Sequence, residues 1–273
     1  MLKDKKELET RYADLVKRVN ERSNSEKSIK GFYHELFVGN AEVELDEVNT
    51  WTYWQGRGVR HPRIILLGQD WGSLEEEKSE RILKAVARML ESKSVDRVHY
   101  FDSFVEESSE DFINTQKFAT DKNLSELFKI LGYEDIVKEL YSELFFTNLI
   151  SGYRKKGKST GGFRKAWITE QVKADFRELV SILRPQVLLC LGKDIFVQAA
   201  SIFGENDVLK GMSWNGYLDS NQGPIKVNGE SEGTFYLFAL PHPGYYGTRN
   251  RGKEIMQADW KRVKQWLDEH ENE

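Results

Sequence analysis

The chain has 273 residues, of which 39% are hydrophobic, 12% aromatic and 31% charged, so it has enough apolar material for a sizeable core and is not wholly disordered. The 40 Lys and Arg residues and 44 Asp and Glu residues give a net charge of −4, which excludes a uniformly basic nucleic-acid coat protein. The one cysteine, Cys190, excludes an intrachain disulfide framework, a four-cysteine zinc site and a cysteine-bound iron–sulfur cluster.

The N-terminal part of the chain is predicted to be a polar helix. Residues 1–22 have apolar side chains at helical spacing, namely Leu8, Tyr12, Leu15 and Val19. We expect residues 1–30 to form a helical extension and residues 31–273 to form one α/β domain. No apolar run approaches the ~20 residues that span a bilayer, and the N-terminus lacks the apolar core of a signal peptide. A cytoplasmic protein is therefore expected.

Four short apolar runs predict buried strands, at residues 63–67, 144–148, 187–191 and 235–240. They are continuous and rich in branched and aromatic residues, as is typical of parallel strands buried on both faces. Helical patterns alternate with them, after a capping box at Ser73 and at residues 123–141, 165–183, 194–203 and 253–268. Residues 213–233 are expected to form an ordered insertion or a hairpin. The alternation predicts a three-layer α/β/α sandwich with a mostly parallel central sheet.

Polar residues follow three of these strands, where parallel sheets bind their ligands. Asp70 follows the first strand, Asn148 closes the second and His242 follows the fourth. A carboxylate can activate water, an amide can read the edge of a base, and an imidazole can stabilise a developing oxyanion. Each residue also has a structural interpretation, as a helix cap, a turn former and a histidine held between prolines. Their joint occurrence at strand ends favours a functional site.

These motifs resemble those of the uracil-DNA glycosylase superfamily. Gly68-Gln69-Asp70 after a buried strand, Asn148 at the end of a later one, and His242-Pro243 after the last strand occur in the order typical of that family. The resemblance covers roughly residues 60–268. It implies a uracil-DNA glycosylase-like fold, and hydrolysis of the N-glycosidic bond of uracil or a related damaged pyrimidine after base flipping, without a metal or other cofactor.

The resemblance also implies roles for single residues. Asp70 would activate water, and His242 would stabilise negative charge on the departing base. Base-binding roles are implied for Gln69, Gly72, Phe118 and Asn148. The segment that includes Gly244, Tyr245 and Tyr246 would wedge into the space that the flipped base leaves.

Three positions depart from the family pattern. Trp71 and Gly72 stand where the best-known branch has Pro and Tyr, and Gly244 stands where a serine is usual. A glycine at position 72 leaves room beside the base, so strict discrimination of uracil from thymine is not implied. The glycine at position 244 removes a hydroxyl that would contact phosphate.

Cationic residues cluster beside two of the proposed site loops. Residues 153–165 hold six Lys or Arg and no acidic residue, and residues 249–253 add three more. The predicted phosphate contacts are Arg154, Lys155, Lys156, Lys158, Arg249 and Arg251. A solvated loop is the alternative for these segments. We predict DNA as the partner, single- or double-stranded, and a monomeric chain without membrane contacts.

Two further functions remain open. The chain could be a catalytically silent relative that binds nucleic acid or a free base. The chain could also be a P-loop nucleotidase, since residues 152–159 satisfy the G-x4-G-K-S pattern of a phosphate-binding loop. Against this, Thr160-Gly161-Gly162 breaks the helix that such a loop must open. A metal site is not expected, since the five histidines are scattered and none are four residues apart.

Overall fold

The computed structural model describes residues 7–19 (except 9, 13, 16 and 17), 32–35, 62–70, 119–136, 141–154 (except 142 and 151) and 162–271 (except 221 and 230). The predicted helix after Ser73 lies outside this part of the chain.

The centre of the molecule is a five-stranded, mostly parallel sheet. Along the chain, a two-stranded antiparallel sheet is formed by β1 (Phe32–Glu35) and β4 (Gly152–Arg154). The main sheet contains β2 (Ile64–Gly68), β3 (Leu144–Asn148), β5 (Val187–Leu191), β6 (Ile225–Gly229) and β7 (Gly233–Leu240), in the spatial order β3-β2-β5-β7-β6. The first four strands of that order are parallel, and β6 pairs antiparallel with β7. The predicted α/β class with a mostly parallel sheet is confirmed.

The predicted strands agree closely with the observed ones because their side chains are apolar on both faces. Every residue of β2, β3 and β5 is buried. Strands β3 and β5 have the predicted bounds, β2 lies one residue later, and β7 begins two residues earlier. Residues 213–233 contain a short helix and then β6, which forms a hairpin with β7.

Six helices with defined bounds accompany the strands in the described residues. They are α1 (Ala119–Ile130), α2 (Glu170–Leu183), α3 (Lys193–Ile202), α4 (Trp214–Asp219), α5 (Tyr245–Arg251) and α6 (Lys253–Glu269). The predicted helix 165–183 is interrupted, because Lys165–Trp167 forms a 3-10 turn and Thr169 then caps α2 by accepting a hydrogen bond from the Val172 amide. None of the described helices is long and apolar enough to cross a bilayer.

Apolar side chains bury both faces of the sheet, because successive residues of a strand point in opposite directions. Ile65, Phe145 and Leu188 pack on one face with side chains of α2 and α3. Leu66, Phe146 and Leu189 pack on the other face with side chains of α1 and α6. Helices therefore cover the sheet on two sides.

The N-terminal helical residues pack against the first of these faces. Leu8, Tyr12, Leu15 and Val19 are between 0% and 8% exposed and belong to the same core cluster as α2 and the sheet. Arg18 also forms an ion pair of 2.6 Å with Glu178 of α2. The apolar stripe read from the sequence is thus part of the main core.

Candidate functional site

The carboxyl ends of β2 and β3 lie side by side at one edge of the sheet. Gly68 is aligned with Asn148, as the last pair of the parallel register. The pairing continues beyond the strands, since the amides of Leu149 and Ile150 donate to the carbonyls of Gly68 and Gln69 at 2.9 and 3.0 Å. The backbone therefore holds Asp70, which follows Gln69, next to the end of β3.

Asn148 presents an unusual buried amide. Its side chain is 3% exposed, yet its Nδ2 has no hydrogen-bond partner in the part of the chain that the structure describes. A buried donor without a partner costs about 1–3 kcal/mol. By strand alternation, Asn148 is on the same sheet face as Leu144 and Phe146, where Gly68 beside it adds no side chain. This arrangement suits a residue that donates to a ligand.

Asp70 is partly exposed, and a neighbouring side chain orients its carboxylate. The Gln69 Nε2 donates to the Asp70 Oδ2 at 2.7 Å. An oriented, water-accessible carboxylate is suited to accept a proton from water. Gln69, which the family resemblance assigns to the base pocket, has its amide group turned to Asp70.

His242 lies in a turn after β7 and has a defined tautomer. The Gly244 amide donates to the His242 Nδ1 at 3.0 Å. An Nδ1 that accepts a hydrogen bond carries no proton, so the neutral ring carries its proton on Nε2. His242 therefore offers a neutral N–H donor.

Asp70 and His242 interact electrostatically. His242 is exposed as a residue, but desolvation by the protein around its ring lowers the pKa of His242. The Asp70 carboxylate acts in the opposite direction and raises the pKa of His242. The two groups thus interact electrostatically, although they follow different strands of the sheet.

Glycines surround His242 at close range. A Cβ on Gly192, which has φ +95°, would lie 3.7 Å from the His242 Cβ. A Cβ on Gly244 would lie 2.9 Å from the His242 Nδ1, and one on Gly247 would lie 1.9 Å from the His242 carbonyl oxygen. A side chain at position 244 would therefore crowd the His242 ring, which gives a packing reason for the glycine there.

Asn123 and Thr248 contact the turn that holds His242, although no sequence pattern singled them out. The Asn123 Nδ2 donates to the Pro243 carbonyl at 2.6 Å and to the Thr248 Oγ1 at 3.0 Å. The Thr248 hydroxyl donates to the same Pro243 carbonyl at 3.1 Å. An asparagine in the first turns of a helix is common, so only the tertiary contacts identify these two residues.

Three of the residues that follow His242 in the chain are exposed to solvent. Tyr245 and Tyr246 are 52% and 55% exposed, and their rings are 5.3 Å apart. Arg249 is exposed as well. These three side chains can reach a partner that approaches the site.

Arg251 differs from the exposed residues of this segment, because it is buried. Its side chain is buried and forms two hydrogen bonds of 2.9 Å with Asp259 and one of 2.7 Å with Asp219. The hydrogen bonding of Arg251 to the Asp259 carboxylate, which accepts, is the main cause that raises the pKa of Arg251. Its guanidinium is engaged within the fold by these carboxylates, which disagrees with the phosphate contact predicted from the sequence.

Several predicted site residues lie outside the described residues. They are Gly72, Phe118, Lys155, Lys156 and Lys158, and for Arg154 only the backbone is described. The start of the phosphate-loop pattern, Gly152–Arg154, is strand β4, and residues 162–164 are not helical. These features disagree with the strand–loop–helix that such a motif requires.

No cluster of His, Cys, Asp or Glu that could hold a metal ion occurs within the described ranges. A groove of about 280 Å³ lies between α6 and the end of β7, lined in part by Phe238, Leu240 and Arg262. Asp70, Asn148 and His242 do not line it. Its buried Asp259 is already paired with Arg251 and Arg262.

Two comparisons with known proteins found no similar sequence. No protein-family profile matches the chain, and no curated protein matches it.

Proposed function

We propose that the chain is a metal-independent DNA glycosylase with a uracil-DNA glycosylase-like fold, acting on uracil or a related damaged pyrimidine. The observation that carries this proposal is the buried Asn148 amide, whose Nδ2 has no partner among the described residues, at the sheet edge where backbone pairing also holds Asp70. His242, which follows another strand, adds a neutral N–H donor whose pKa the Asp70 carboxylate raises. These groups supply a base for water, a donor for the leaving group and a reader for the base edge.

The chemistry assigns one step to each group. The oxygen of a water molecule bonds to C1′ of the sugar, and the Asp70 carboxylate accepts the proton of that water. The C1′–N bond breaks, and its electron pair leaves with the base. The Nε2–H of His242 donates to the base oxygen on which the negative charge develops. The Asn148 Nδ2 donates to an acceptor on the edge of the flipped base.

Tyr245, Tyr246 and Arg249 support the choice of DNA as the substrate. Exposed aromatic rings can stack on bases, and an exposed guanidinium can pair with phosphate. Their position directly after His242 would place them against the strand that carries the flipped base.

An abasic-site assay on uracil-containing single- and double-stranded oligonucleotides tests the proposal. The wild-type chain is expected to produce abasic sites, and Asp70→Asn is expected to lower the rate by roughly 10²–10⁴-fold while retaining binding. Asp194→Asn is the matched control, since it neutralises an exposed carboxylate in the first turn of α3. Binding without cleavage by the wild-type chain would instead establish the catalytically silent alternative. Full activity of Asp70→Asn would show that the Asp70 carboxylate does not accept the proton of the attacking water.

A further inference from the structure

One peptide group connects α1 to the ring of His242. The carbonyl of Pro243 and the amide of Gly244 belong to the same peptide unit. The carbonyl accepts hydrogen bonds from Asn123 and Thr248, and the amide donates to the His242 Nδ1. Both polar ends of this peptide are therefore in use.

A peptide unit is planar, and its C=O and N–H point in opposite directions. A donor that fixes the direction of the carbonyl thereby also fixes the direction of the amide. The Asn123 contact, at 2.6 Å, is the shorter of the two side-chain contacts to the Pro243 carbonyl. Asn123 consequently aims the Gly244 N–H at the imidazole, although its hydrogen bonds are made to Pro243 and Thr248.

We propose that Asn123 is a positioning residue that acts through the Pro243–Gly244 peptide to hold His242 in its Nε2–H tautomer, with Thr248 as the second contact. Its importance for turnover rests on the proposed glycosylase function, whereas its effect on the tautomer does not. Loss of the Asn123 donor leaves the Pro243 carbonyl with the longer Thr248 contact, so the direction of the peptide is less firmly set and the Nδ1 loses its fixed partner for part of the time.

The groups around His242 determine how a change in its protonation midpoint is interpreted. The Asp70 carboxylate, from the end of β2, is the charged group that acts on the ring. In the described residues, α1 brings Asn123 and Thr120 to the turn, and Gly192 approaches from the end of β5. None of these three titrates, so a change in the titration of Asn123→Ala reports the peptide contact.

Long-range ¹H–¹⁵N NMR of the histidine rings in the full chain, without DNA, tests this inference. The wild-type His242 is expected to show a protonated Nε2 and a bare Nδ1. In Asn123→Ala, the two tautomers are expected to mix. The midpoint of His242 is expected to rise by roughly 0.5–1 pH unit, as for the loss of one neutral hydrogen bond.

Two variants of Thr248 and one control variant keep the experiment decisive if Asn123→Ala does not fold. Thr248→Val removes one donor to Pro243 at nearly constant shape and is expected to give a smaller shift in the same direction. Thr248→Ser keeps the hydroxyl and is expected to retain the wild-type tautomer. Thr169→Ala removes a helix cap far along the chain and controls for a general loss of stability.

The outcomes separate a positioning role from a purely structural one. If Asn123→Ala lowers the melting temperature but keeps the wild-type tautomer and midpoint, the inference is overturned. A wild-type ring protonated on Nδ1 would overturn it as well. If the tautomer depends on Asn123 but the chain forms no abasic sites, only the proposed function fails. In an active enzyme, Asn123→Ala should lower kcat more than it raises KM.

Discussion

Two opposing influences set the protonation of His242. Burial favours the neutral imidazole, and the Asp70 carboxylate favours the charged one. Burial is the larger influence, so the ring stays neutral at pH 7 and can donate from Nε2 without carrying a charge. In the unfolded chain the pKa is near 6.5. The stability of the fold should therefore fall as the pH drops below about 6.5, where the unfolded chain binds the proton more readily.

Asp70→Asn is expected to lower the pKa of His242 further, because it removes the group that raises it. Histidine NMR titration of the full chain measures the midpoint. Asp194→Asn should leave that midpoint unchanged. An unchanged or higher midpoint in Asp70→Asn would show that the carboxylate does not act on the ring.

Gly244→Ala and Gly247→Ala are expected to have different effects. The Cβ at position 244 meets the ring of His242, which can move, whereas the Cβ at position 247 meets a backbone oxygen. We expect Gly244→Ala to perturb the His242 NMR signals with a small loss of stability. For Gly247→Ala we expect about 1–3 kcal/mol of destabilisation in chemical denaturation.

Gly162→Ala serves as the control for both glycine variants, because no atom of the described residues lies within 4 Å of its added Cβ. Its stability should stay within about 0.5 kcal/mol of the wild type. Equal losses for Gly162→Ala and Gly247→Ala would contradict the packing explanation.

At the scale of elements, the segment formed by α5 and the start of α6 combines exposed and structural residues. Tyr245, Tyr246 and Arg249 are exposed to solvent. Arg251, by contrast, donates hydrogen bonds to Asp259 and so connects α5 to α6. Arg249 and Arg251 thus lie in the same short helix, one exposed and the other buried in an ion pair, and a count of basic residues does not distinguish them.

Arg251→Met is expected to destabilise the fold by about 3 kcal/mol, because it leaves the buried carboxylate of Asp259 without its bidentate partner. Arg249→Met should leave stability nearly unchanged. It should instead reduce the slope of DNA affinity against salt by about one unit, as for the loss of one phosphate contact. Denaturant titration and salt-dependent DNA binding measure the two effects, and the reverse assignment would contradict the structure.

At the scale of the whole molecule, the N-terminal helical residues and the sheet share one core. Leu15 is 0% exposed and belongs to the same apolar cluster as Phe145 and Leu188 of the sheet. The stability of the site therefore depends on side chains far from it in the chain.

Leu15→Ala is expected to cost about 2–5 kcal/mol, and the chain should still unfold in one transition. The exposed Asp14→Ala is the control and should be nearly neutral. Separate unfolding of the N-terminal residues in denaturant, detected by different probes, would contradict a shared core.

Sequence alone determined the strand positions, the parallel class of the sheet and the polar residues at the strand ends. It could do so because fully buried strands need continuous apolar runs, as in residues 144–148 and 187–191, and the polar residues that follow a strand are known once its end is placed. The tertiary structure decided that Asn123 donates to the Pro243 carbonyl and that Arg251 is buried. The first feature depends on a contact between residues 120 positions apart and the second on which face of a short helix is covered, and no local pattern encodes either.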